Sequence, residues 1–302
     1  MKTFKLALDW TPNTNHIGFF VANELGYYRE KDLEVELLNP QDDNYKLTPA
    51  KKVEMGEADM ALCPFESVIS YQTKKQKFDA VAIATVFQED LSGIVVLEES
   101  SVKSPKDLDG KSYASYKARY EDEIVRQMIL NDGGKGDFEL QYPEKLGIWA
   151  TLLSKEYDAT WIFLNWEGVQ AKNKGIPLRT FRLSDYGIPY AYSPVIMASK
   201  KVVNAESKGY SAFLEATKKG FLFAMDNPEK ASEILAPFIS ESDKDINLLE
   251  SQNQSIEAYG NPNDWGKMED NRVNAFLQWL NTTNLESAEL NYENLVYTGL
   301  LP

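Results

Sequence analysis

Two carboxylates, each with an indole beside it, are the residues of this chain best suited to recognition chemistry: Asp9 with Trp10 near the amino terminus, and Glu167 with Trp166 past the middle. An indole offers a flat face to a π-system, and a carboxylate accepts two adjacent donors at once, most strongly when they are cationic. Each residue also has a structural reading. Trp10 fits lobe packing, Asp9 fits ordering of the loop 11–15, and Glu167 fits an acid favoured by the dipole at a helix start. Asn13 and His16 share the loop of Asp9, and His16 is either a helix-start residue bonded to backbone or a ligand contact. Tyr186, Tyr190 and Tyr192 supply candidate rings for the face opposite Trp10. Tyr116, Lys117 and Arg119 follow a strand and open a helix, a place where backbone N–H groups receive anions. Their segment, SYKARYEDE, has no glycine to let the backbone wrap a phosphate, and Glu121, Asp122 and Glu123 oppose negative charge, so no phosphate site is expected there.

Composition removes whole classes of function. With 32 Lys+Arg against 46 Asp+Glu the net charge is −14, and nucleic acid or an anionic membrane surface each needs a basic footprint. Cys63 is the sole cysteine and His16 the sole histidine, which leaves no intramolecular disulfide, no cysteine or multi-histidine metal site and no expected cofactor. No apolar run approaches the length of a membrane span. The start, MKTFKLALDW, enters a strand with no leader-like segment. Two expectations follow: a cytoplasmic protein if Met1 is the native start, an extracytoplasmic one if a leader was removed.

The elements that must position these residues alternate between strand and helix. The first stretch reads as a strand over 4–8, a polar loop, a helix over 17–25 and a strand over 33–38. A loop leaving a strand to open a helix lies at the carboxyl edge of a parallel sheet, where open α/β sheets bind ligands. A helix over 47–56, a short strand with its loop over 57–65, a helix from 67 to 73 and a buried strand over 80–86 complete one lobe of parallel βα units. Strand 93–97, a capped turn at 104–111, strand 112–115, helices 120–131 and 145–155, strand 159–163, helix 166–174 capped by Asn165, and strand 180–182 form a second set. After strand 193–199 the pattern is helical over 205–225, 226–235, 246–259 and 268–280. At 302 residues the chain is long enough for two cores. The expectation is an α/β protein of two lobes, 1–92 plus 199–302 and 93–198. Two crossover strands near 93–97 and 193–199 would join them, with the ligand in the cleft between.

The stretch LALDWTPNTNHIGFFVANELGYYREKDLEVEL, with GEADMAL, SPKDLDGK and DNPEKA, resembles type II solute-binding proteins. Strand-DWxPNxxHxGxxVA, NWEGV and DYGIP are similar to the narrower family of thiamine-pyrimidine-precursor-binding proteins of bacterial importers, to which the fungal thiamine pyrimidine synthase also belongs. The resemblance spans nearly the whole chain. It implies a type II periplasmic-binding-protein-like fold, a small aminopyrimidine ligand of the formylaminopyrimidine type, an ABC permease as partner and a monomer. It favours a ligand role for Trp10 and Glu167, since an aminopyrimidine presents an exocyclic amine beside a ring nitrogen. The candidate binding set is Asp9, Trp10, Asn13, His16, Cys63, Glu66, Ser115, Tyr116, Trp166, Glu167, Tyr186 and Tyr190.

The family's synthase needs a lysine for pyridoxal phosphate, a histidine that it consumes and a cysteine-rich segment tied to iron. In an ungapped alignment from Gly56 those positions hold Cys63, Ser67 and the cysteine-free GIPYAYSPV. The resemblance therefore points to a binding protein. The alternatives are an enzyme of thiamine pyrimidine biosynthesis and a receptor for another planar nitrogenous or aromatic solute.

Overall fold

A computed structural model describes residues 1–144 and 148–301. The first three residues of the helix expected at 145–155 lie outside them; the described part is a helix over Ile148–Leu153. Strands β1 (Lys2–Ala7), β2 (Leu33–Leu38), β3 (Met60–Cys63) and β4 (Ala80–Thr85) are followed by β5 (Ser92–Leu97), β6 (Ser112–Ala114), β7 (Glu139–Gln141), β8 (Ala159–Phe163) and β9 (Leu178–Phe181), and then by β10 (Val195–Ser199). They form two five-stranded sheets, ordered β2-β1-β3-β10-β4 and β7-β6-β8-β5-β9.

Burial patterns explain the order. In β1, Phe4 and Leu6 are buried and Thr3 and Lys5, alternating with them, face out, until Ala7 is buried as well where the strand enters the interior. β4 and β10 are buried at every position. β10 pairs antiparallel with both β3 and β4 inside the first sheet. This corrects two expectations. β10 is not a crossover strand of the second lobe, because its unbroken apolar run suits a position covered on both faces and both edges. Nor are the sheets wholly parallel: β5 likewise runs antiparallel to β8 and β9. A chain that returns from one lobe inserts its strand against the direction of the βα units already there. The strand over Glu139–Gln141 has no counterpart in the sequence reading, being short and at most half-buried, so it carries no apolar alternation.

The helix Ile17–Glu24, which carries the site loop on its amino end, is held against the long helix Ser207–Asp226 at very close range. A Cβ on Gly220 would lie 2.1 Å from the Gly18 carbonyl oxygen, and one on Gly18 would strike the Phe221 ring. Phe19, Phe213 and Phe221 pack around this crossing. The helical pattern over 205–225 resolves into Lys200–Ala205 and Ser207–Asp226, which break at Glu206. The carboxyl-terminal segment returns to the first sheet, Val296 pairing with Ala82 of β4.

β1 and β3 are parallel in the first sheet, as are β6 and β8 in the second. The segments leaving their carboxyl ends, 8–16, 64–67, 115–120 and 164–168, meet between the sheets, the place where open α/β sheets hold ligands.

Candidate functional site

These four segments enclose a cavity of about 490 Å³ between the lobes. The loop after β1 is tied by its own side chains. Asn13 Oδ1 accepts from the Asn15 N–H at 2.8 Å, Asn13 Nδ2 donates to the Thr11 carbonyl at 3.0 Å, and the Asn13 N–H donates to His16 Nδ1 at 3.3 Å. Because Nδ1 accepts, His16 Nε2 is the donor to Asp9 Oδ1 at 2.7 Å. His16 is fully buried and stands outside the cavity wall. It is a positioning residue that fixes Asp9, not a contact surface. Asp9, Trp10 and Asn13 line the cavity.

Trp10 meets Tyr45 of its own lobe at a ring separation of 5.4 Å and Tyr116 of the other lobe, edge-on, at 6.1 Å. The aromatic wall therefore spans the cleft, and the ring that meets Trp10 directly from the other lobe is Tyr116. Tyr190 does line the cavity, with its ring against Trp161 and Phe276. Tyr186 packs on Phe181, and Tyr192 is buried with its hydroxyl accepting from the Glu269 N–H. Tyr186, in the turn Ser184–Tyr186, is not among the residues that line the cavity. Tyr45 lies in a polar, irregular stretch after the turn Pro40–Asp43, and only the tertiary fold brings it to Trp10.

Residues 164–168 do not form the expected helix start capped by Asn165. They make a wide π turn, and helix Val169–Asn173 follows it. Asn165 points into the protein, where its Nδ2 donates to Asn15 Oδ1 at 2.7 Å and Ser255 Oγ at 2.8 Å. The extra residue in the turn faces Trp166 and Glu167 to the cavity. Glu167 Oε2 accepts from the Phe163 N–H at 3.0 Å. Burial nonetheless pushes this carboxyl up to about 7, against the backbone N–H groups that favour its charge.

Cys63 ends β3 and lines the cavity as a buried thiol, raised by burial and therefore unreactive as a nucleophile. Glu66 follows, in the first turn of helix Phe65–Thr73. It is 4% exposed, and among the described residues its Oε2 has no hydrogen-bond partner. Burial, reinforced by Glu121 and opposed by Arg119, pushes its carboxyl up to about 8.

The loop after β6 has spent its anion-binding capacity on itself. The Tyr116 and Ala118 N–H groups donate to Glu121 at 3.0 and 3.1 Å. Ser115 Oγ donates to Asp122 and accepts from the Lys117 N–H, so Ser115 lies behind the wall and does not line the cavity. Arg119 is likewise engaged, donating to Thr73 Oγ1 at 2.7 Å and pairing with Glu286. Arg119 at one flank and Asn165 at the other thus bond the second lobe to the first.

The chain belongs to the NMT1/THI5-like family, whose pattern matches residues 13–231. It is 28% identical over 269 residues to the formylaminopyrimidine-binding protein of Halalkalibacterium halodurans, covering 87% of this chain and 79% of that one. It is 22% identical over 233 residues to a 4-amino-5-hydroxymethyl-2-methylpyrimidine phosphate synthase of Legionella pneumophila, covering 76% and 72% respectively. Among solved structures, the alkanesulfonate-binding protein SsuA of Xanthomonas axonopodis pv. citri superposes with a TM-score of 0.73 at 11% identity over 98% of both chains. That agreement establishes the fold as the two-lobed type II binding-protein architecture.

Proposed function

We propose that this NMT1/THI5-like chain is a solute-binding protein that holds a small aminopyrimidine precursor of thiamine, of the formylaminopyrimidine type, in the cleft between its lobes. The observation that carries the proposal is Glu167: a buried carboxyl in the cavity wall, oriented by the Phe163 N–H and raised to about 7. A carboxyl poised there shares one proton with a ring nitrogen and accepts from the exocyclic amine beside it. Trp10 and Tyr116 supply aromatic surface from both lobes, so a flat ring gains from closure and shifts the lobes toward the closed arrangement. The relative from Halalkalibacterium halodurans supports the pyrimidine. The fold supports delivery to an ABC permease by a monomer.

Calorimetric titration with the formylaminopyrimidine, with pyridoxal phosphate in parallel, tests this. One-to-one binding of the pyrimidine alone is expected. Binding of pyridoxal phosphate alone would instead support the synthase reading that the Legionella relative suggests. In the ungapped alignment from Gly56, Cys63 and Ser67 stand where the family's synthase carries its lysine and histidine, which favours the binding reading.

A further inference from the structure

Glu66 is the one carboxyl of the cavity wall that the ring-recognition scheme leaves unused. The other three have work: Asp9 is bonded by His16, Glu167 by the Phe163 N–H, and Glu121 by Tyr113 and two backbone N–H groups. Glu66 lines the cavity, is 4% exposed and, among the described residues, leaves Oε2 without a partner. A buried acceptor left unpaired is costly, and one that faces a cavity calls for a partner that the cavity can admit.

We infer that Glu66 is a second recognition point, which accepts a nitrogen donor on the side arm of the ligand and so decides which aminopyrimidines the site admits. The inference rests on the aminopyrimidine reading above. Glu66 and Glu167 answer to different neighbours, Glu66 to Glu121 and Arg119, Glu167 to Asp243. They come from different lobes, so a ring held by Glu167 can extend a substituent across the cleft toward Glu66. What that substituent must carry follows from the charges around it. The nearest cation, Arg119, is already paired with Glu286 and bonded to Thr73. The backbone N–H groups that would take an anion are filled by Glu121. An anionic arm at Glu66 meets two carboxyls, Glu66 and Glu121, while of the cavity's cations Arg119 is paired and Lys117 lies over the Tyr142 ring. An N–H meets an acceptor that lacks one. Both an amide, as in a formamidomethyl arm, and an amine, as in an aminomethyl arm, supply it.

The test is calorimetric titration of the whole chain with one aminopyrimidine ring carrying four arms: formamidomethyl, aminomethyl, methyl and phosphorylated hydroxymethyl. The wild-type protein is expected to bind both nitrogen-bearing arms at least about tenfold more tightly than methyl, and the phosphorylated arm most weakly of all. Glu66→Met, which removes the acceptor at similar volume, should erase the advantage of both nitrogen arms and leave methyl binding unchanged. Glu66→Gln, which keeps a neutral acceptor, should reduce only the aminomethyl advantage. Equal wild-type affinity for methyl and nitrogen arms, or a Glu66→Met variant that loses affinity for every arm alike, would overturn the inference while leaving ring recognition standing. Failure of all four to bind the wild-type chain would instead remove the aminopyrimidine reading itself. The wild-type ranking needs no variant to fold.

Discussion

Replacing Glu167 by Gln and by Leu separates the charge of this carboxyl from its hydrogen-bonding shape. In the folded protein the Phe163 N–H fixes one carboxyl oxygen, and Gln keeps an oxygen to accept it. Against a neutral aminopyrimidine, Gln also retains one acceptor for the amine and one donor for the ring nitrogen, as a protonated Glu167 would. What Gln cannot do is pass to a carboxylate–pyrimidinium pair. A hydrogen bond to a charged group is worth about 1.5–3 kcal/mol against about 0.5–1.5 for a neutral one. Loss of charge assistance should therefore weaken binding by roughly tenfold. Leu removes both hydrogen bonds and should cost more than about a hundredfold. The pH profile sharpens the test. The complex holds one proton between carboxyl and ring, and Glu167 already carries it below about 7. Wild-type affinity should therefore be nearly level below that pH and fall toward tenfold per unit above it. In Glu167→Gln the affinity should stay level through the same range. Calorimetry from pH 5.5 to 9 with the formylaminopyrimidine reads both quantities. Wild-type affinity in Glu167→Leu, or an undiminished pH dependence in Glu167→Gln, would refute the assignment of Glu167 to the ring.

Trp10→Ala should lower affinity by at least about tenfold, since stacking contributes around 1 kcal/mol beyond the area it covers, whereas Trp10→Phe should keep most of it. Ligand-induced quenching of tryptophan fluorescence, strong in the wild type and weak in Trp10→Phe, checks that the ring lies against this indole. His16→Phe leaves the Asn13 N–H without its acceptor and Asp9 without its donor. Denaturant titration should show a loss of about 1–3 kcal/mol, with weaker ligand binding because Asp9 is no longer fixed. The ligand-free protein should lose stability as pH rises from about 4.5 toward 8. Burial raises Glu66 to about 8 and Glu167 to about 7 in the folded chain, so each stays protonated up to its raised value while the unfolded chain ionises. Each group's contribution is complete below its unfolded pKa and is lost as pH climbs through the folded one, at up to about 1.4 kcal/mol per pH unit. Glu66→Gln should reduce that slope, as urea midpoints measured across the range will show; an unchanged slope would mean Glu66 is not held neutral by the fold.

The sequence by itself determined the parts of this protein that are local in the chain. The apolar runs of β3, β4, β8 and β10, and the strand-loop-helix rhythm around them, required an α/β protein with ligand loops at the carboxyl ends of its parallel strands. Asp9, Trp10 and Glu167 were legible as cavity-wall residues because they follow strands at that edge, although each also had a structural reading. Long-range pairing decided the rest. β10 looks like any buried strand, and only the first sheet shows that it closes the gap between β3 and β4 in reverse direction. His16 reads equally as a helix-start residue or a ligand contact, and only the folded loop shows the first, with its two nitrogens bonded to Asn13 and Asp9. Asn165 reads as a cap because asparagine commonly is one, yet three bonding partners from a distant loop and helix draw it inward and open the π turn that aims Glu167. Tyr45 and Tyr116 reach Trp10 from separate stretches with no periodic signal. Charge state was the least visible property of all. A glutamate's position in the chain says little about how much water reaches it, and burial by the folded lobes is what lifts Glu66 and Glu167 into the neutral range.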